Sequence, residues 1–128
     1  MSKVVLDASA LLAILNQEPG SEKLTDELLS NAVASTVNLA EVQTKLVSLG
    51  ADPDRSWKLA MTLVSEAVPF TSEQAKIAGD LVHLTRSGGL SLGDRACLAL
   101  ATHLDAPAYT TDRAWKRLKL GIPIHLLR

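Results

Sequence analysis

Cysteine, histidine and aromatic side chains are scarce in this chain, and each shortage closes off a class of chemistry. A lone cysteine, Cys97, excludes an internal disulfide and argues against a thiolate zinc site. Set among apolar neighbours at helical spacing, it reads as a small buried residue. His83, His103 and His125 lie far apart and show no paired metal-ligand spacing. Aromatic residues make up 3% of a chain that is 47% hydrophobic, so the core must be aliphatic. No apolar run approaches the roughly 20 residues that span a bilayer, and Met1-Ser2-Lys3-Val4 leads straight into a strand-like segment. The expectation is a cytoplasmic protein with no membrane attachment. Also missing are a Gly-x-Ser-x-Gly elbow, a phosphate-binding glycine loop and a Cys-x-x-Cys pair.

What is present begins with charge. The formal balance of −1 is unpromising for a nucleic-acid protein, because phosphate binding rests on Lys and Arg, but its distribution is uneven. Residues 1–54 hold three basic and eight acidic side chains, and residues 55–128 hold ten basic and six acidic. Such asymmetry permits a basic surface beside an acidic site, although scattered solvated charge produces the same sums.

Length fits a single domain over residues 1–128. Five short β-branched or aliphatic runs recur between helical stretches: Lys3 to Leu6, Ala32 to Ser35, Ala67 to Phe70, Ala108 to Thr110, and Pro123 to Leu126. That alternation predicts an α/β fold with a parallel sheet. Helical spacing joins Val42, Leu46 and Leu49, and again Leu92, Ala96, Leu100 and Leu104. Pro19-Gly20, Gly50 with Pro53, Ser87-Gly88-Gly89 and Ala106-Pro107 punctuate the chain between elements.

Four acids occupy suggestive positions, although each also has an ordinary structural role available. Asp7 ends the first strand and opens a helix over Ala8 to Leu15, where it can cap free N–H groups. Capping leaves its setting unexplained, because a carboxylate directly after Val4-Val5-Leu6 sits at the edge of a central strand, where desolvation is costly. Glu41 lies in Asn38-Leu39-Ala40-Glu41-Val42, expected just before a helix that runs to about Leu49, and Lys45 is available to pair with it. Asp94 follows Ser91 at the spacing of a capping box for a helix over Leu92 to His103, and Asp112 can cap a short helix starting near Arg113. Ligands of open parallel sheets bind at the carboxyl ends of strands where the winding reverses. If strands one and four are neighbours there, Asp7 faces Asp112, with Glu41 and Asp94 leaning in from the flanks. Converging carboxylates repel unless a divalent cation stands between them, and oxygen-only ligands select magnesium or manganese.

Val4-Val5-Leu6-Asp7-Ala8-Ser9-Ala10-Leu11-Leu12, Asn38-Leu39-Ala40-Glu41-Val42, Leu90-Ser91-Leu92-Gly93-Asp94-Arg95-Ala96 and Tyr109-Thr110-Thr111-Asp112-Arg113-Ala114-Trp115 together resemble the PIN domain and, within it, the VapC-type toxins. Each motif is short, but the four in this order and spacing span essentially the whole chain. The resemblance implies a five-stranded parallel sheet of order 3-2-1-4-5 and a Mg2+- or Mn2+-dependent endoribonuclease. It makes Asp7, Asp94 and Asp112 metal ligands, Glu41 a ligand directly or through water, and Ser9, Asn38 and Thr110 supporting polar groups. The partners it implies are an RNA substrate, a co-encoded antitoxin that brings a basic side chain to the acids, and a second copy of the chain.

The rival readings are weaker. A haloacid-dehalogenase-like phosphatase needs a second Asp two residues after the first, where this chain has Ser9, and a receiver domain needs paired N-terminal acids, whereas Leu6 precedes Asp7. A binding module of the same fold without catalysis is the remaining alternative. One stretch is unabsorbed: the helix expected over Pro53 to Val64 carries Trp57, Leu59, Ala60, Met61, Leu63 and Val64, more than one core-facing stripe needs. Trp57 and Met61 are therefore candidates for a partner-binding face, with burial in the core as the alternative.

Overall fold

The computed structural model describes residues 2–85 and 89–128. Ser87 and Gly88 of the expected Ser87-Gly88-Gly89 break lie outside the described residues. Strands β1 (Val4–Leu6), β2 (Ala32–Ser35), β3 (Glu66–Val68), β4 (Ala108–Thr110) and β5 (Ile124–Leu126) alternate with helices α1 (Ala8–Leu15), α2 (Asp26–Leu29), α3 (Thr36–Ser48), α4 (Pro53–Thr62), α5 (Ser72–Asp80), α6 (Val82–Thr85) and α7 (Leu92–Leu104). Two short 3-10 turns, Ser21–Lys23 and Arg113–Arg117, complete the described elements.

The five strands form one parallel sheet in the order β3-β2-β1-β4-β5. Every residue of β1 and β2 is buried, so neither alternates; both faces are covered by helices, as a parallel sheet requires. One face packs Val4, Leu6, Leu11, Leu39 and Val42, and the other packs Val5, Val33, Leu98, Leu100 and Trp115. Because successive strand residues point to opposite faces, Val5 belongs to the second core while Val4 and Leu6 belong to the first.

Several boundaries shift from the sequence expectation, and two of the shifts have a clear local reason. The Asn38–Val42 segment does not precede a helix but lies within α3, because the Ser35 hydroxyl accepts from the Val37 N–H and starts the helix at Thr36. At the sheet edge, β3 ends at Val68 because Pro69 has no N–H to continue the ladder. Gly20, with φ +95°, lets the chain turn tightly beneath β5; a side chain there would run into the Leu127 backbone carbonyl. Helix α7 is the central support: Ala96 to Ala101 are all buried, including Cys97, as its apolar setting predicted.

Candidate active site

Parallel winding places the carboxyl ends of β1 and β4 side by side, and the ladder between them extends one residue further through the Asp7 N–H to the Tyr109 carbonyl, 3.2 Å. The Asp7 side chain is thereby fixed at the sheet edge, 3% exposed. Its Oδ1 accepts from the Ala10 N–H at 2.8 Å, capping α1, and from the Ser9 hydroxyl at 2.7 Å. Its Oδ2 accepts from the Thr110 hydroxyl at 2.6 Å. The cap expected of Asp7 is therefore present, but it uses only part of the carboxylate's capacity. Burial pushes the Asp7 carboxyl up to about 6; the Thr110, Ser9 and Ala10 hydrogen bonds work against that rise, and the Asp94 charge adds to it. Among the described residues, no cation is among the groups that influence it.

The hydroxyls extend this corner. Ser9 Oγ accepts from the Thr111 N–H at 3.0 Å and lies 3.3 Å from Thr110 Oγ1, which in turn accepts from the Asp112 N–H at 3.0 Å. Asp112 is thus held one hydrogen-bonded step from Asp7, through Thr110. Its own carboxylate caps the following 3-10 turn, with Oδ1 accepting from the Ala114 N–H at 3.0 Å.

Glu41 and Asp94 form the other half, where α3 meets the start of α7. Asn38 is 1% exposed, and its amide donates to Glu41 Oε1 at 2.9 Å and to the Gly93 carbonyl at 3.0 Å. This ties Glu41 to the first turn of α7, and the expected Lys45 pairing is not among the ion pairs of the described residues. Gly93 is part of the fit: a methyl on its Cα would collide with both Glu41 carboxylate oxygens. Asp94 completes a capping box, its Oδ2 accepting from the Ser91 N–H at 3.0 Å while Ser91 Oγ accepts from the Asp94 N–H at 3.1 Å. One turn further along, the buried Cys97 thiol is pushed well above its usual range, first by burial and then by the charges of Asp7, Asp94 and Glu41.

The oxygen donors suit a hard divalent cation. Among the described residues, Asp7 is a desolvated carboxyl with no cationic partner, and Asn38 Oδ1 is a buried oxygen with no hydrogen-bond partner. In the positions described, no three His, Cys, Asp or Glu side chains among the described residues stand close enough to hold one ion together. Asp94 and Asp112 each commit one oxygen to a cap and retain the other. The donor set fits a hard divalent metal by its chemistry.

Of the residues singled out from the sequence, Asp7, Ser9, Thr110 and Asp112 share one hydrogen-bonded network, and Asn38, Glu41 and Asp94 share the α3–α7 junction. Gly93 escaped notice because a glycine's value lies in the space it leaves, which only a neighbour reveals. Trp57 and Met61 belong to a different surface, the outer side of α4, where they are 41% and 36% exposed.

Comparison with known proteins follows this geometry. No curated protein matches the chain in sequence. Among solved structures, the chain is similar to one in the DNA-bound VapBC of Salmonella typhimurium, at 18% identity and a TM-score of 0.76 with 100% of each chain covered. It is also similar to one in VapBC2 of Rickettsia felis bound to a promoter DNA fragment, at 20% identity and a TM-score of 0.72, covering 94% of this chain and 96% of that one. A third is VapC20 of Mycobacterium tuberculosis, a sarcin-ricin loop cleaving toxin, at 17% identity and a TM-score of 0.72, covering 94% and 100%. At these identities the likeness establishes the fold. The family model for the PIN domain matches residues 4–120, nearly the whole chain, and the chain belongs to the PIN domain family.

Proposed function

We propose that this protein is a divalent-metal-dependent endoribonuclease of the VapC type, the toxin of a toxin–antitoxin pair, with Asp7, Glu41, Asp94 and Asp112 as its catalytic acids. The observation that carries the proposal is geometric: Asp7 and Asp112 are joined through Thr110 at the β1–β4 edge, and Asn38 ties Glu41 to the first turn of α7, which carries Asp94. Mg2+ or Mn2+ would be held by Asp7, Asp94 and Asp112, with Glu41 binding directly or through water. Such an ion supplies Lewis-acid polarisation of the phosphodiester and a lowered pKa for the attacking water.

The protein's own groups supply position and proton transfer. Ser9, Thr110 and the Ala10 N–H fix the plane of the Asp7 carboxylate, so its orientation costs nothing at the moment of reaction. Asn38 holds one oxygen of Glu41 and leaves Oε2 to orient the attacking water or accept its proton. Thr110 couples Asp112 to the same frame. The test is a cleavage assay on RNA titrated with magnesium or manganese. The expected products carry 5′-phosphate ends; 2′,3′-cyclic phosphate ends would mean attack by the RNA's own 2′-hydroxyl and would overturn the mechanism.

A second reading has one observation in its favour: in the positions described, the acids form no closed three-ligand group among the described residues. A catalytically silent RNA- or protein-binding module would give no fragments at any metal concentration, which separates the two readings.

The antitoxin belongs on the outer side of α3 and α4. Leu49, Trp57, Leu59 and Met61 are exposed there, and a groove of about 580 Å³ runs between Gln43, Pro53, Asp54, Trp57 and Lys58. A second groove, about 490 Å³ and lined by Val37, Ala40, Glu41, Thr44, Lys45 and Ser48, leads along α3 to Glu41. An apolar partner segment lying there can end in a basic side chain at the acids. The similar structures from Salmonella and Rickettsia are VapBC complexes, which supports a co-encoded antitoxin. A second copy of the chain completes the proposed assembly. Replacing Trp57 and Met61 together by Ala is expected to weaken antitoxin binding while cleavage by the free protein persists. Unchanged antitoxin affinity, with matched losses of activity and thermal stability, would return the helix to a core role.

A further inference from the structure

Beyond Asp112 the chain changes character. Residues 113–128 contain five cationic side chains, Arg113, Lys116, Arg117, Lys119 and Arg128, and no Asp or Glu. The Arg113–Arg117 turn is 3-10 in form and starts on the Asp112 cap. With three residues per turn, positions three apart eclipse, so Arg113 and Lys116 fall in one column while Trp115 and Leu118 fall in another. Trp115 is wholly buried and, with Leu118 packed beside it, anchors the segment in the second core. Arg113, Lys116, Arg117 and Lys119 are exposed. Backbone bonds from Trp115 N–H to the Asp112 carbonyl, 3.1 Å, and from Leu118 N–H to the Trp115 carbonyl, 3.0 Å, hold the column in register with the acids.

The described residues show ion pairs at Lys3–Glu66, Lys76–Asp80 and Arg128–Glu18. None of them takes Arg113, Lys116, Arg117 or Lys119. Arg113 also donates from Nε to the Arg128 backbone oxygen at 3.4 Å. Four exposed cations with no ion-pair partner among the described residues, on an anchored segment that starts at an acid of the candidate site, suit a polyanion running past that site. They also lie outside the apolar grooves of α3 and α4, so nothing in their surroundings favours a hydrophobic protein segment over a phosphate backbone. With a rise of roughly 2 Å per residue, Lys116 stands about 8 Å along the turn from Asp112, within reach of phosphates flanking the one at the acids.

We propose that Arg113, Lys116, Arg117 and Lys119 form the seat for the RNA phosphate backbone on one side of the scissile bond. This rests on the reading of the acids as an RNA-cleaving centre. It accounts for the basic excess of the C-terminal half as a surface placed for substrate.

The test measures RNA binding rather than cleavage. In an Asp7→Asn background with magnesium present, a short single-stranded RNA is titrated by fluorescence anisotropy at salt concentrations from about 50 to 200 mM. The triple variant Lys116→Gln, Arg117→Gln and Lys119→Gln is expected to flatten the log Kd against log salt slope by about 2, since each lost phosphate contact removes roughly 0.7 for a single strand. Lys3→Gln, Lys23→Gln and Lys76→Gln, which change net charge equally, should leave the slope near that of the parent. If the first triple fails to fold, Lys116→Gln and Lys119→Gln singly are each expected to flatten it by about 0.7. Equal slopes in all folded variants would overturn the seat while leaving the cleavage reading intact. A parent that binds no RNA at any salt, with a wild type that yields no fragments, would overturn both.

Discussion

The two halves of the candidate site are built in different ways. At the β1–β4 edge, Asp7 is buried and its carboxylate accepts from Ser9, Thr110 and the Ala10 N–H, so position is fixed by a polar network. At the α3–α7 junction, Glu41 is exposed and positioned by one amide and by the absence of a side chain on Gly93. Asp94 beside it is occupied with its own helix cap. The first half holds a desolvated carboxylate in a dense polar frame, and the second holds its acids by fewer contacts. For the proposed metal site, the first supplies a preformed ligand with no countercharge among the described residues, and the second supplies the carboxylate oxygens that its cap and amide leave open.

The largest effect should follow from Asp7→Asn. Cleavage is expected to fall by 10²-fold or more, on the order seen when a preorganised charged group is removed. Stability should move the other way. The folded carboxyl is raised from 3.8 to about 6, so the fold favours its protonated form: the penalty is absent below about pH 4, develops as pH rises through 6, and is complete above it. In metal-free buffer the variant should therefore exceed the wild type at pH 8 by up to about 3 kcal/mol, and the difference should vanish near pH 4. Urea denaturation across that range measures it. A variant less stable at pH 8 would show that Asp7 serves the fold more than the site.

Gly93→Ala probes the looser half. Alanine suits a helix better than glycine by roughly 1 kcal/mol, but its methyl must displace the Glu41 carboxylate. The expected outcome is a protein of equal or higher thermal stability whose cleavage falls about tenfold, with weaker Mn2+ binding by calorimetry. Parallel losses of stability and activity would mean that Glu41 cannot move aside and that this half is as rigid as the other. The smallest effect belongs to Ser91→Ala, which removes one arm of the α7 capping box. It should cost about 1 kcal/mol of stability and leave cleavage nearly unchanged, because the Asp94 carboxylate still has the Ser91 N–H to rest on. A large loss of activity would show that the cap itself positions Asp94.

Much of this site is legible in the sequence because the acids sit at punctuation points. Asp7 ends an apolar run, Asp94 follows Ser91 at capping spacing, and Asp112 follows a short strand. Glu41 was harder to place. The Ser35 cap that starts α3 early is a side-chain hydrogen bond, and hydrophobic periodicity carries no trace of it. A cap uses one carboxylate oxygen, so Asp94 and Asp112 each keep a second for the proposed role.

By itself, the sequence determined the element types, the aliphatic core and the strand-end position of Asp7, because these rest on local periodicity and on residue chemistry. It determined as well that the cations collect after Asp112. Tertiary structure alone decided that Gly93 makes room for Glu41, that Trp115 is buried while Trp57 is exposed, and that Asp7 loses its water without gaining a cation among the described residues. The physical reason is that burial and close approach are properties of pairs distant in the chain: Asn38 meets Gly93 across 55 residues and Thr110 meets Asp7 across 103, and no local pattern encodes which neighbour arrives.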